Sequence, residues 1–212
     1  MMKEKIEEQL NTPAGRLRYD FGWRLEGGWT EEEVTVIREA ASRVAEFIHQ
    51  LTGGDGAAWV NSYLPAILTR PGLMGKLPFL KDKSFVYPWT QVRLSPYFMN
   101  GGIRHIVHEM GHVLDNSLGG LVPATFVGGG AADRMLKAVG GHPEHCFPRF
   151  VPRKDYAIRC SPQECWANPT AYGNTCVAED FAETFTWTIF DPVKVPVRRL
   201  AWMQEFLANL KP

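Results

Sequence analysis

The chain has 212 residues, 45% of them hydrophobic and 12% aromatic, enough to bury one substantial core or two small lobes around a cleft. Lys and Arg together number 23 and so do Asp and Glu, so net charge draws the chain neither to nucleic acid nor to anionic membrane. No apolar run approaches the length of a membrane span.

The amino-terminal stretch MMKEKIEEQLNTPAGRLRYD mixes acids and bases without an apolar run, which leaves no secretory signal in the sequence as given and no predicted element. Thr30 is then a plausible N-cap for a helix over 31–51, with Glu31, Glu32 and Glu33 in its first turn. Val34, Ile37, Ala41, Val44, Phe47, Ile48 and Leu51 follow at helical spacing, and Gly53-Gly54 ends it. From 57 to 96 the chain is rich in β-branched and aromatic residues broken by Pro and Gly, which predicts short strands around 59–63 and 84–94. Pro88 puts the second at an edge or interrupts it. A helix is predicted over 102–116. About sixty irregular residues follow, with one short helix at 131–139 between Gly128-Gly129-Gly130 and Gly140-Gly141. Helices at 177–190, stopped by Asp191-Pro192, and at 197–210 close the chain.

The helix at 102–116 contains His108-Glu109-Met110-Gly111-His112. Two histidines four apart lie about 40° apart around a helix and one turn along it, so both imidazoles reach one ion. Glu109 projects beside them, where a carboxylate can take the proton of a water activated by zinc. Ile103, Ile106, Val107, Met110, Val113 and Leu114 make the helix apolar over much of its circumference, and ionisable groups in such a helix need pairing or ligation. His105, outside the motif, reads as a structural histidine rather than a ligand.

A catalytic zinc needs a third ligand. Asp115 and Leu118 stand where the extended metzincin pattern requires glycine and histidine, which excludes that class. The segment AYGNTCVAEDFAETF supplies Glu179, Asp180 and Glu183 in an otherwise apolar helix. Glu179 and Glu183 share a face, so one can bind metal while the other accepts a hydrogen bond from a ligand imidazole. An acidic first turn favoured by the helix dipole is the competing explanation. Cys146, Cys160, Cys165 and Cys176 cluster between the two motifs. Paired disulfides, free thiols, and a structural zinc drawing on His142, His145 and the cysteines are the three readings open.

HEMGHVLDN followed by AYGNTCVAEDFAETF resembles the catalytic lobe of anthrax lethal factor and the Pro-Pro endopeptidases, which are gluzincins. The resemblance covers at most about half of the chain. It implies His108, His112 and Glu179 as zinc ligands, Glu109 as general base, Tyr172 as an oxyanion-stabilising hydroxyl, Glu183 as a carboxylate behind the ligands, and Asp115 as an orienting group. The family has a shorter connection between the two helices and an aromatic residue at the place of Asp180, so the cysteine-bearing insert and the substrate do not carry over.

The expectation is therefore an α+β, mainly helical, zincin-like metallopeptidase in a single domain, 1–212. Its small mixed sheet is expected to place an edge strand beside an active-site cleft. The N-terminal lobe is about 30–117, with sheet and zinc helix, and the C-terminal lobe about 118–212, with the glutamate helix. One catalytic Zn(2+), a peptide or protein substrate, no nucleic-acid or membrane partner and a monomeric state complete it. Phe85, Tyr87, Trp89 and Val92 are candidates for the substrate-binding strand, and Phe126, Trp166 and Pro169 for specificity pockets. The cysteines lean toward secretion, and a chain that never carried a signal would be cytoplasmic. The alternatives are a non-catalytic zinc-binding module and a secreted effector or toxin-type protease acting on one protein.

Overall fold

The computed structural model describes residues 12–70, 84–86, 91–119, 129–162 and 170–212. These residues are mainly helical with one small sheet, an α+β arrangement, and the chain divides into two compact units, 1–109 with Pro212 and 110–211. The division falls inside a helix, between Glu109 and Met110. Among the described residues no helix is long and apolar enough to cross a membrane.

The first unit begins with two elements where none was expected. Helix α1, Pro13–Phe21, starts because the Thr12 side chain accepts from Gly15 N at 3.0 Å and Pro13 presets the first turn. It ends where Gly22 takes a left-handed conformation, φ 70°. Strand β1, Arg24–Glu26, follows. Helix α2, Glu31–Thr52, is the helix expected from Thr30, closed at its start by a reciprocal capping box: Thr30 N donates to Glu33 Oε2 at 2.8 Å and Glu33 N to Thr30 Oγ1 at 3.3 Å. Arg70 also pairs with Glu33, and its guanidinium lies 4.8 Å from the centre of the Trp29 ring.

The strand expected at 59–63 is instead helix α3, Gly56–Tyr63. Asp55 caps it by accepting from Ala57 N and Ala58 N at 2.9 and 3.0 Å, and this cap decides the element over the strand preference of Trp59, Val60 and Tyr63. The buried Trp59 and Val60 are core residues of that helix. Strands β2, Ile67–Thr69, β3, Phe85–Val86, and β4, Gln91–Arg93, complete a sheet of order β1-β2-β4-β3. The first three in that order are parallel and β3 pairs antiparallel with β4, so the sheet is mixed and, among the described residues, β3 lies at one edge. The strand expected over 84–94, interrupted or at an edge, is two strands, of which β3 is the outer one among the described residues; Tyr87, Pro88 and Trp89 lie outside the described residues. Helix α4, Phe98–Ser117, contains the expected span 102–116 but begins a turn earlier, with a break at Gly102, where φ 57° and ψ −145° are not helical.

The second unit packs helix α5, Ala131–Ala138, a 3₁₀ turn at Pro143–Cys146, helix α6, Tyr156–Cys160, helix α7, Val177–Phe190, a 3₁₀ turn at Pro192–Lys194, and helix α8, Val197–Asn209. Its core is the buried row Met110, Val113 and Leu114 of α4 with Met135, Leu136, Phe181, Phe185, Met203 and Leu207. Helix α6 lies in the stretch read as irregular. Cys146 and Cys160 are joined as a disulfide, Cα atoms 5.9 Å apart, while Cys176 keeps a buried thiol and Cys165 lies outside the described residues.

Candidate metal centre

Helix α4 carries the first part of the site because its apolar side is sealed: Ile106, Val107, Met110, Val113 and Leu114 are all buried. That fixes the rotation of the helix and turns His108 and His112, both half-buried, to the same side. Gly111 lets α7 approach. A Cβ there would stand 2.8 Å from Ala182 Cα and 3.2 Å from Ala182 Cβ, closer than packing allows. The glycine between the two motif histidines is therefore a packing requirement, and the close crossing brings Glu179 to His112 with Nε2 and Oε2 3.3 Å apart.

Donor atoms of His108, His112 and Glu179 all lie within 4.8 Å of one another. Two ligands held at about 2.0–2.1 Å from a tetrahedral zinc stand about 3.3 Å apart, so the His112–Glu179 pair already has a ligand-to-ligand separation. Two imidazoles and one carboxylate are a fitting donor set for that ion.

Tyr172 donates its hydroxyl to the other oxygen of Glu179, Oε1, at 2.9 Å. Glu183 Oε2 accepts from Thr170 Oγ1 at 2.6 Å and from Trp187 Nε1 at 3.1 Å, which ties the segment before α7 to the helix. Thr170 Oγ1 also accepts from Gly173 N at 3.2 Å, so the turn bearing Tyr172 is held to Glu183 through one hydroxyl.

Glu109 is 4% exposed, and one turn earlier His105 Nε2 stands 3.7 Å from its Oε1. His105 Nε2 is hydrogen-bonded to Ser84 Oγ at 2.6 Å, and that hydroxyl accepts from Ser95 N at 2.8 Å. Gly101 leaves room for the ring, since a Cβ there would be 2.7 Å from His105 Cβ. Burial, reinforced by the charge of nearby His108, holds His105 below the ordinary histidine range. The residue read as structural thus links the edge-strand side of the sheet to the Glu109 carboxylate.

Asp115 is buried and its oxygens meet Ala132 N at 2.8 Å and Arg149 Nη2 at 3.3 Å. Arg149 also donates from Nε to Asp133 Oδ1 at 2.7 Å, and its carbonyl accepts from Ala178 N in the first turn of α7. Sequence reading missed Arg149, which ties α4, α5 and the start of α7 together; nothing in the string FPRFVPRKD separates it from Arg153. Asp180 is fully buried with Arg199 and Tyr156, whose hydroxyl donates to Oδ2 at 2.5 Å, and Arg199 Nη2 donates to Ser161 Oγ at 2.8 Å. Phe126, Trp166 and Pro169, expected in specificity pockets, lie outside the described residues.

No protein-family model, curated protein or solved structure matches the chain.

Proposed function

We propose that this chain is a zinc-dependent endopeptidase of the gluzincin type, with a zincin-like fold, as its likeness to the lethal-factor and Pro-Pro endopeptidase group implies. The observation that carries the reading is the convergence of one donor atom each from His108, His112 and Glu179, with the acid Glu109 next to His108 on the same helix. His108, His112 and Glu179 would hold the zinc, which would supply a Lewis acid to polarise a scissile carbonyl and acidify water. Glu109 accepts the proton of the attacking water on its carboxylate and delivers it to the departing amine. The Tyr172 O–H, already aimed at Glu179, is the donor to the oxyanion that develops on the carbonyl. Glu183 and Asp115 act by position, the first holding the Tyr172 turn through Thr170 and the second anchoring α4 through Arg149.

A peptide substrate suits β3, the outer strand of the sheet among the described residues, because an extended chain can add to an edge strand through its backbone. Ser84, adjoining β3, reaches His105, which in turn stands beside Glu109, so β3 is tied to the neighbourhood of the acid. The buried Cys146–Cys160 bridge suits an oxidising compartment and therefore secretion.

The test is zinc content and cleavage of a peptide library by wild type and Glu109→Ala. Both proteins should retain the zinc held by His108, His112 and Glu179, and cleavage should fall by about 10²–10⁴-fold or more in the variant. Undiminished cleavage in Glu109→Ala overturns the mechanism, and zinc without cleavage in wild type points to a non-catalytic zinc-binding module. Cleavage confined to a single protein substrate points to an effector-type protease.

A further inference from the structure

The turn Pro143–Cys146 presents a second group of metal-ligating side chains. Pro143 opens the turn, and because side chains three apart eclipse one another in a 3₁₀ helix, His142 and His145 come together. Their rings are stacked, centroids 5.1 Å apart and planes at 27°. Glu144 lies between them in sequence, its Oε1 3.1 Å from His142 Nδ1. One donor atom from each of the three lies within 4.8 Å of the others.

The base beneath these side chains is tied by backbone hydrogen bonds. His142 N donates to Cys160 O at 2.8 Å, Gly141 N to Leu136 O at 2.7 Å, and His145 N to His142 O at 3.0 Å. The turn runs directly into the Cys146–Cys160 bridge, both of whose residues are buried. Gly141 fits tightly, since a Cβ there would lie 2.4 Å from Leu136 Cδ1 and 2.5 Å from Cys160 O. A fixed backbone under exposed ligands lowers the ordering cost of binding. The disulfide also settles which ligands are available. With Cys146 and Cys160 joined, neither of these sulfurs is available as a thiolate ligand, and among the described residues of the turn the imidazoles remain.

We infer that His142, Glu144 and His145 form a second metal site, exposed and separate from the His108–His112–Glu179 centre, that takes a divalent ion of the late first transition row. Two imidazoles with one carboxylate favour Cu(2+), Ni(2+) and Zn(2+) and discriminate against Mg(2+) and Ca(2+), which take oxygen ligands. The site does not depend on the peptidase reading, since none of its residues takes part in it.

The probe is Zn(2+) added to the full chain after chelator treatment, followed by calorimetry in a His108→Ala, His112→Ala background. One zinc equivalent should remain there, and adding His142→Ala and His145→Ala should weaken it by about tenfold or more, with Glu144→Gln giving a smaller loss. Unchanged affinity in the fourfold variant, or no binding in the background, overturns the site. Should the background variant fold poorly, wild type and His142→Ala, His145→Ala are compared directly, and the metal count must drop from two to one. In the His108→Ala, His112→Ala background, Cu(2+) electron paramagnetic resonance gives a local readout: two nitrogen couplings are expected at the second site, and their persistence without His142 and His145 overturns it. Mg(2+) at the same concentration should produce no heat.

Discussion

Glu179 and Asp180 are neighbours in α7 and have opposite surroundings. Asp180 is sealed in the core, its charge met by the Arg199 guanidinium and its other oxygen by the Tyr156 hydroxyl. Glu179 reaches toward His112 with one oxygen and accepts the Tyr172 hydroxyl on the other. A step of about 100° along the helix is enough to separate them. The difference teaches where to look for an ion. A buried acid whose cation is built into the chain is structural, whereas an acid that meets imidazoles has a place for a cation from solution. Asp115 and Asp133 fall on the structural side with Arg149.

The strongest way to break this contrast is to remove the internal cation. Arg199→Met leaves Asp180 charged and unpaired in the core and should cost about 3–5 kcal/mol in urea unfolding. A loss below about 1 kcal/mol would mean that the Asp180 side is not held by the ion pair. On the other side, Tyr172→Phe should lower kcat by about 10²–10³ while stability stays within about 0.5 kcal/mol, because the ring is half-exposed. A drop in stability with kcat intact would move Tyr172 to the structural side.

Gly111→Ala tests whether the two sides share one helix crossing. The added methyl meets Ala182 and should cost about 1–3 kcal/mol in thermal or urea unfolding, with weaker zinc retention because α4 and α7 are pushed apart. Zinc retention unchanged in that variant would uncouple the crossing from the metal centre.

The smallest effect concerns Cys176, just before α7. Burial, aided by the negative charge of Glu179, pushes its thiol from 9.0 up to about 12. The folded chain therefore keeps a proton that the unfolded chain releases, so this contribution is fully present below about pH 9 and is lost as pH rises toward the folded value. Melting curves between about pH 8 and pH 11 should fall less steeply for Cys176→Ala than for wild type. Parallel curves would show that the thiol is not shielded.

Much of the helical content was legible. Thr30 with Glu33, the apolar spacing of α2, and the Asp191-Pro192 stop are local signals, and the structure has helices there. The strand expected at 59–63 failed because one side chain, Asp55, outweighed a run of aromatic and branched residues whose strand preference is only a packing tendency. Helix α1 and strand β1 were missed for a related reason: Thr12-Pro13 is a start signal, but the polar string after it carries little apolar period.

By itself the sequence determined that His108 and His112 share a helix side and that Glu109 follows between them, because helical periodicity is a property of neighbours along the chain. Tertiary structure decided the rest: that Gly111 is the point of closest approach to Ala182, that Asp180 belongs to Arg199 at a separation of 19 residues, and that Arg149 joins Asp115 across 34. Those pairings depend on where the chain turns back on itself. The energy that selects them, burial of apolar faces and neutralisation of enclosed charge, exists only once distant segments are packed together.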